Sequence, residues 1–255
     1  MGRRTGHGVA IMTAVLALAG APVRADETAR DLVKRATDSA PQVPIFARAN
    51  LSSSRGWRRQ FEASHKKLPD QSYAVYIEFI APQDVRDTRF LAFDRADGRD
   101  QQFMWVPAVG RVIEINNEAR KQPFLGSDFY VSDMAAAPID DFTYSFAGEA
   151  EVGGRHCKLI EIVPKNAAAW PYSKTIAAID PIDLVTMRTE FFDAKGQPLK
   201  VWTIEKLEKV DGIWTPLVQV MKNLQQQTDS RIETTEIKYN ADVPDDVFTR
   251  RNLTR

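Results

Sequence analysis

Apolar and polar residues alternate in run after run of this sequence, and this period of two constrains the fold more than any other feature. In residues 73–80 every second residue from Tyr73 to Phe79 is apolar, whereas the residues between them are mixed. Successive side chains of a strand point to opposite faces, so such a run indicates a strand buried on one face and partly exposed to water on the other. The same alternation recurs around Leu159, Val185, Trp202 and Ile232.

Turn-forming residues separate these runs. Asp97-Gly98, Gly153-Gly154 and Asp211-Gly212 stand where hairpin turns need a positive φ, as does Gly196. Counting the runs gives about ten or eleven strands. Parallel strands would need crossover helices, and no helical pattern of suitable length lies between consecutive runs. The sequence therefore predicts an antiparallel meander.

Two segments have helical rather than strand-like spacing. Residues 27–39 place Leu32 and Val33 among charged residues and end before Pro41, which predicts an amphipathic helix. The second, which we call the lid segment, is residues 126–137. A large sheet with so little helix buries its apolar face by curling and by placing these helices across the opening.

The lid segment begins with a flexible residue and two helix-capping residue types, Gly126, Ser127 and Asp128. Apolar side chains that a short helix would place on one side follow: Phe129, Tyr130, Val131 and Met134. We predict a mobile helical lid that carries aromatic residues over the sheet. A helix that closes an ordinary core is the alternative, since aromatic residues at helical spacing are common in cores.

Two short helices would leave a curled sheet incompletely filled, and the remaining apolar cavity is the predicted binding site. A flexible methionine beside aromatic residues suits a variable apolar ligand. The predicted cavity and lid residues are Trp105, Phe124, Phe129, Tyr130 and Met134.

Several short motifs carry a resemblance to a known family. Trp105-x-Pro107 followed by Arg111, and then residues 124–129 (FLGSDF) closed by Asp133, resemble the signature of the LolA-like outer membrane lipoprotein-sorting proteins, which share the LolA/LolB/RseB-type fold. Asp84, residues 171–174 (PYSK), residues 191–196 (FFDAKG) and residues 248–250 (FTR) follow in the family order, so the resemblance covers nearly the whole chain after the amino-terminal segment. The sequence departs in residues 129–134 (FYVSDM), where the family pattern has an aromatic residue, a carboxylate pair and a leucine.

The resemblance implies a mainly β (α+β) fold in which a large curled antiparallel sheet forms a half-open β-barrel covered by short helices. It also implies a periplasmic carrier or chaperone that binds a lipid or acylated lipoprotein and works with an inner-membrane transporter. One alternative is a sensor of the same architecture that binds a lipoprotein and signals to a membrane partner. Another is an enzyme that uses the barrel as a substrate pocket.

The residues themselves give little support for catalysis. His156 and Cys157 are adjacent in a strand-like run, so their side chains point to opposite faces and do not form a dyad. No HExxH, CxxC, GxSxG, GxGxxG or Walker pattern occurs. The acidic pairs at 140–141 and 245–246 fit solvated turns better than acid/base or cation sites. We therefore expect no enzymatic activity, no metal and no cofactor.

Charge argues against nucleic acid as a partner. Residues 1–25 hold three arginines and no acid, which leaves 31 Lys and Arg against 34 Asp and Glu in residues 26–255, a net charge of −3. Arg55, Arg58 and Arg59 surround Trp57, either as a grip for an anionic group or as the exposed face of a strand. We expect a monomer.

The amino terminus has the pattern of a secretory signal peptide. Arg3 and Arg4 precede an apolar run at residues 9–18 that is too short to span a membrane, and a small-residue cleavage site ends at Ala25. The paired arginines also raise a twin-arginine route, although the residues after them lack its apolar positions. No cysteine lies at the cleavage site for lipidation. We predict a signal peptide at 1–25 and a single soluble periplasmic domain at 26–255.

Overall fold

The computed structural model describes residues 28–70, 72–95, 101–134 and 137–255. The predicted signal peptide and the Asp97-Gly98 turn lie outside the described residues. None of the helices described is long and apolar enough to cross a membrane.

Within the described ranges, thirteen strands form one antiparallel sheet, which confirms the predicted mainly β class and adds two or three strands to the expected number. The strands are β1 (Ile45–Ser53), β2 (Arg58–Lys67), β3 (Tyr73–Ala81), β4 (Arg89–Asp94), β5 (Gln101–Val106), β6 (Arg111–Glu114), β7 (Phe142–Val152), β8 (Arg155–Pro164), β9 (Lys174–Ile179), β10 (Thr186–Phe192), β11 (Pro198–Val210), β12 (Ile213–Asn223) and β13 (Thr228–Tyr239).

The strand order is that of a meander with one long connection. Strands β1 to β6 run outward on one side, β13 to β7 run outward on the other, and β1 pairs with β13 in the middle. Strands β6 and β7 are therefore the two edges, and no pairing between them closes the sheet in the described residues. Because β6 and β7 are consecutive in sequence, residues 115–141 must cross from one edge to the other.

The first helix forms as predicted. α1 (Ala29–Asp38) begins at Thr28, which makes a reciprocal capping box with Asp31. Its buried residue Leu32 packs against Ile160 and Ala177, so α1 covers the sheet at β8 and β9. The second α-helix, α2 (Asn117–Arg120), is a single turn in the crossing connection.

Alternating residues of β3 contribute to two different cores. Ile77 and Phe79 lie on the inner face, the face that the crossing connection and α1 cover. Tyr76 lies on the outer face, packed against Phe248 and Leu253 from the carboxyl-terminal segment. The carboxyl-terminal segment covers this face at Ala74 and Tyr76, whereas Glu78 and Ile80 are partly exposed, so the predicted mixed character of the second face is confirmed in part.

The Gly153-Gly154 turn and the opposed side chains of His156 and Cys157 are as predicted. Gly153 and Gly154 have φ of 59° and 75° in the turn between β7 and β8. Cys157 is buried, whereas its neighbour His156 is exposed, so the two side chains lie on opposite faces. Burial raises the pKa of the Cys157 thiol, which makes it a weak nucleophile.

Candidate functional site

The lid segment is not an α-helix. The chain forms a 3₁₀ turn at Phe124–Gly126, an antiparallel bridge between Pro123 and Tyr130, and a second 3₁₀ turn at Val131–Met134. Gly126 has a φ of 74°, a conformation that glycine adopts without strain. The prediction of a helix that starts after Gly126 is therefore wrong, although the segment does lie over the inner face. Residues 135 and 136 fall outside the described residues.

Ser127 and Asp128 are buried, and neither is the N-cap of a helix as predicted, since Ser127 ends the first 3₁₀ turn. The Asp128 carboxylate accepts hydrogen bonds from Thr228 Oγ1 at 2.6 Å and Ser230 Oγ at 2.7 Å, and its backbone N–H donates to Ser230 Oγ at 2.9 Å. Ser127 Oγ donates to the carbonyl of Phe124 at 2.7 Å. The three bonds of Asp128 fasten the start of the lid segment to β13.

Two arginines of the basic cluster also hold this segment. Arg59 donates to the carbonyl of Leu125, and Arg55 donates to the carbonyl of Gly126 at 3.0 Å. The guanidinium of Arg59 stacks on Trp57, 4.2 Å from the ring centroid. Arg58 is exposed instead. Arg55 and Arg59 thus bind the lid segment. Neither of the two interpretations of the sequence, a site for an anionic group or the exposed face of a strand, predicted this contact.

Most predicted site residues belong to the inner core rather than to an open cavity wall. Phe124 and Phe129 are only 3% and 4% exposed, and the Phe124 ring lies 5.9 Å from that of Phe79. Met134 packs at the margin of the same cluster. With the lid in this position, these side chains plug the opening of the curled sheet.

Trp105 lies on the outer face. It packs beside Phe103 against Val247 and Phe248, whereas Met104 faces the lid. The prediction that Trp105 lines the cavity is wrong, because its position in the alternation of β5 is that of the outer core.

A cavity of about 220 Å³ lies beside the plug, between the lid segment, α1 and strands β7 to β10. Most of its wall is apolar or aromatic. The lining residues are Val33, Ser132, Asp133, Ala137, Phe142, Tyr144, Ile162, Pro164, Trp170, Tyr172, Lys174, Thr175 and Phe191. The sheet therefore does hold an unfilled apolar space, as the sequence predicted, but next to the predicted residues rather than among them.

One end of the cavity is polar. The hydroxyl of Tyr172 donates to the Asp133 carboxylate, with oxygen distances of 2.9 and 3.0 Å, and the backbone N–H of Tyr130 donates to it at 2.7 Å. The rings of Tyr130 and Tyr172 stack with centroids 5.5 Å apart. Burial raises the pKa of Asp133, and burial and the nearby Asp133 together raise the pKa of Tyr172. This end of the lid is thus bound to the wall of the cavity.

Lys200 lies beneath this end of the lid. The residue is 1% exposed, and its ammonium lies 2.9 Å from the centroid of the Tyr130 ring and 5.8 Å from that of Tyr172. Among the described residues, its Nζ has no hydrogen-bond partner. Burial lowers the pKa of Lys200 to about 8, and the charges of Asp133 and Asp128 oppose the shift.

Sequence reasoning missed Lys200 and most of the cavity wall. Lys200 has the same place in the alternation as Trp202, so a lysine on the inner face was visible in the pattern of β11. Tyr172 and Phe191 were noticed within family motifs, but without a role. Tyr172 and Phe191 line one cavity with Asp133 because β9 pairs with β10, and no local sequence pattern predicts that pairing.

Comparison with known proteins agrees with this architecture. A family model described as "Uncharacterized protein" matches residues 71–255. No curated protein matches the sequence.

Three solved structures share the fold. A putative outer membrane lipoprotein-sorting protein domain from Vibrio parahaemolyticus has a TM-score of 0.82 at 20% identity, covering 89% of this chain and 98% of that one. A DUF1329 family protein from Desulfovibrio piger has a TM-score of 0.82 at 24% identity, covering 88% and 97%. A LolA superfamily protein from Nitrosomonas europaea has a TM-score of 0.69 at 17% identity, covering 89% and 99%. The chain belongs to the family whose model matches residues 71–255, and its fold is that of the LolA-like outer membrane lipoprotein-sorting proteins.

Proposed function

We propose that the protein is a periplasmic carrier that holds an acyl chain of a lipid or lipoprotein and moves it between the inner and outer membranes. The observation that carries this proposal is the apolar cavity of about 220 Å³ between the lid segment, α1 and β7 to β10. Pockets for small ligands are concave and mostly apolar, with a few polar groups that set orientation. The name of one structure with the same fold, a putative outer membrane lipoprotein-sorting protein domain, supports a lipoprotein as the cargo.

The cavity must enlarge to hold a whole acyl chain. Its 220 Å³ falls below the roughly 300–1,000 Å³ typical of small-molecule sites. The adjoining space is filled by Phe129 of the lid segment and by Phe124, which lies two residues before that segment. A chain that displaces the lid would therefore extend the cavity along the inner face.

Lid opening also makes release possible. Burying an acyl chain yields about 0.8 kcal/mol for each methylene, far more in total than reversible binding requires. Part of that free energy is spent on separating the lid from the inner core and from β13. The affinity that remains permits handover, and an inner-membrane transporter is the proposed donor.

Export through a signal peptide at residues 1–25 belongs to the same proposal. We expect amino-terminal sequencing of the protein from the periplasm to find Asp26 as the first residue. An intact Met1 on the functional protein would contradict export by this route.

Filling the cavity tests the carrier proposal. Thr175 lines the cavity, and its neighbour Ile176 points to the opposite face of β9. We expect Thr175→Trp to weaken binding of a neutral fluorescent fatty-acid ester at least about tenfold, because the indole occupies the space of the chain. The matched control, Ile176→Trp, should bind as the wild type does.

Two results would overturn the proposal. One is a wild type that binds no apolar probe. The other is a Thr175→Trp variant that stays folded by circular dichroism and binds the ester as tightly as the wild type.

A further inference from the structure

Lys200 is a buried cation without a hydrogen-bond acceptor among the described residues. An ammonium group carries three donors, and leaving them unsatisfied away from water costs free energy. Such a group in a native protein needs an explanation, and one explanation is a ligand that supplies the missing acceptor.

The position of Lys200 joins it to the cavity. Lys200 stands directly opposite Phe191 in the pairing of β11 with β10, and Phe191 lines the cavity. The ammonium is 5.8 Å from the ring of Tyr172, another lining residue. The Tyr130 ring, whose centroid lies 2.9 Å from the ammonium, covers it from the lid side.

Residues of the lid segment stabilise the Lys200 ammonium in the way that a bound anion would. The electron-rich face of the Tyr130 ring attracts the ammonium. The carboxylate of Asp133 stabilises its charge without a hydrogen bond to it, and Asp128 adds to this effect. All three residues belong to the lid segment, so displacement of Tyr130 and Asp133 leaves Lys200 facing the enlarged cavity.

We propose that Lys200 anchors the anionic head group, a carboxylate or a phosphate, of the amphiphile carried in the cavity, and that Tyr130 and Asp133 take the place of that head group in the empty protein. This inference rests on the proposed function and adds the charge class of the ligand. On this proposal, lid opening exchanges one counter-ion of Lys200 for another. The anion of the ligand replaces the carboxylate of Asp133, and the acyl chain replaces the side chains of Phe124 and Phe129.

The test compares two fluorescent probes with the same chain, a fatty acid and its methyl ester. We expect the wild type to bind the acid at least about tenfold more tightly than the ester, since a hydrogen bond between charged groups is worth about that ratio. Lys200→Met should bring the ratio close to one, and the variant should still bind the ester. Lys222→Met, on the exposed face of β12, is the control and should keep the wild-type ratio.

A second variant shifts the preference in the opposite direction. Asp133→Asn keeps a side chain that accepts from Tyr172 but removes the competing negative charge. We expect its acid-to-ester affinity ratio to exceed that of the wild type, because the charge that is removed opposes only the acid. A structural role for Asp133 alone would weaken binding of both probes equally.

The outcomes separate this inference from the carrier proposal. Ester binding with an acid-to-ester ratio that Lys200→Met leaves unchanged would overturn the inference and leave the carrier proposal intact. Inorganic phosphate should not displace the bound acid, because it lacks the chain. Displacement by phosphate alone would assign Lys200 to a free anion and overturn the amphiphile as its ligand.

Discussion

Burial of Lys200 makes the stability of the closed protein depend on pH. Loss of hydration lowers the pKa of its ammonium from the ordinary 10.5 to about 8. The groups facing it are the carboxylates of Asp133 and Asp128 and the rings of Tyr130 and Tyr172. Between the two pKa values the unfolded chain binds a proton that the folded protein does not, so this group makes stability rise with pH across that window.

We therefore expect the free energy of unfolding of the wild type, relative to that of Lys200→Met, to increase by up to about 3 kcal/mol between pH 8 and 10.5. Urea denaturation at a series of pH values measures the difference. Lys222→Met should follow the wild-type profile, because that side chain is exposed. Parallel profiles for the wild type and Lys200→Met would show that the ammonium is hydrated.

Phe129 distinguishes a plug from an open cavity wall. At 4% exposure within the inner core, a carboxylate at this position would be buried without a partner. We expect Phe129→Glu to lower the free energy of unfolding by about 3 kcal/mol or more. Phe146→Glu is the matched control, because Phe146 is 50% exposed on the edge strand β7 and should tolerate the charge. Equal small losses would mean that the lid stands open in solution.

Single residues show where sequence reasoning succeeds and where it stops. The alternation of residue types assigns faces correctly at β3, and the same rule applied to β5 and β11 separates Trp105 from Met104 and places Lys200 beside Trp202. Alternation does not predict which face of the sheet holds the cavity. That depends on the segments that cover each face, and they are distant in sequence from most of the strands.

At the scale of elements, the two ends of the lid segment are fastened differently. Its start is hydrogen-bonded to β13 through Asp128, Thr228 and Ser230. Its later part is held by the contacts of Tyr130 and Asp133 with Tyr172. Among the described residues, fewer hydrogen bonds join the later part to the rest of the protein than join the start, so we expect opening to begin at the later part and to pivot on Asp128.

Hydrogen exchange tests whether the bonds to β13 hold the lid segment closed. Ser230→Ala removes the hydroxyl that donates to the Asp128 carboxylate and accepts from its backbone N–H. We expect faster exchange of the amides in residues 126–134 and unchanged exchange in the strand around Ile77, because a segment with fewer buried bonds opens locally at lower free energy. Thr235→Val, an exposed change on the same strand, should leave the lid amides unaffected. Uniform acceleration across the sheet would indicate global destabilisation instead.

The two short helical segments predicted from sequence had different outcomes for a physical reason. In α1 the capping residues Thr28 and Asp31 satisfy each other locally, so a local pattern suffices. In the lid segment the equivalent residue, Asp128, accepts hydrogen bonds from residues 100 and 102 positions away. The sequence pattern predicted that Asp128 accepts from N–H groups at the start of a helix. The hydroxyls of Thr228 and Ser230 take that place in the folded protein.

At the scale of the whole molecule, the open sheet explains why a cavity exists. Strands β6 and β7 are unpaired with each other in the described residues, and the crossing connection between them lies over the inner face. Turn residues and alternation were sufficient to predict an antiparallel meander, and the shortage of helix predicted that it curls. They do not give the strand order at the seam, where β1 meets β13, because that pairing joins distant segments.

The central claim is that the inner face exchanges its own plug for an acyl chain, and native mass spectrometry of the protein purified from its own cells tests it most directly. We expect the wild type to retain one acyl lipid per chain and Thr175→Trp to retain none, with anionic lipids depleted from Lys200→Met. A wild type free of lipid, or a Thr175→Trp variant that retains as much as the wild type, would contradict the account.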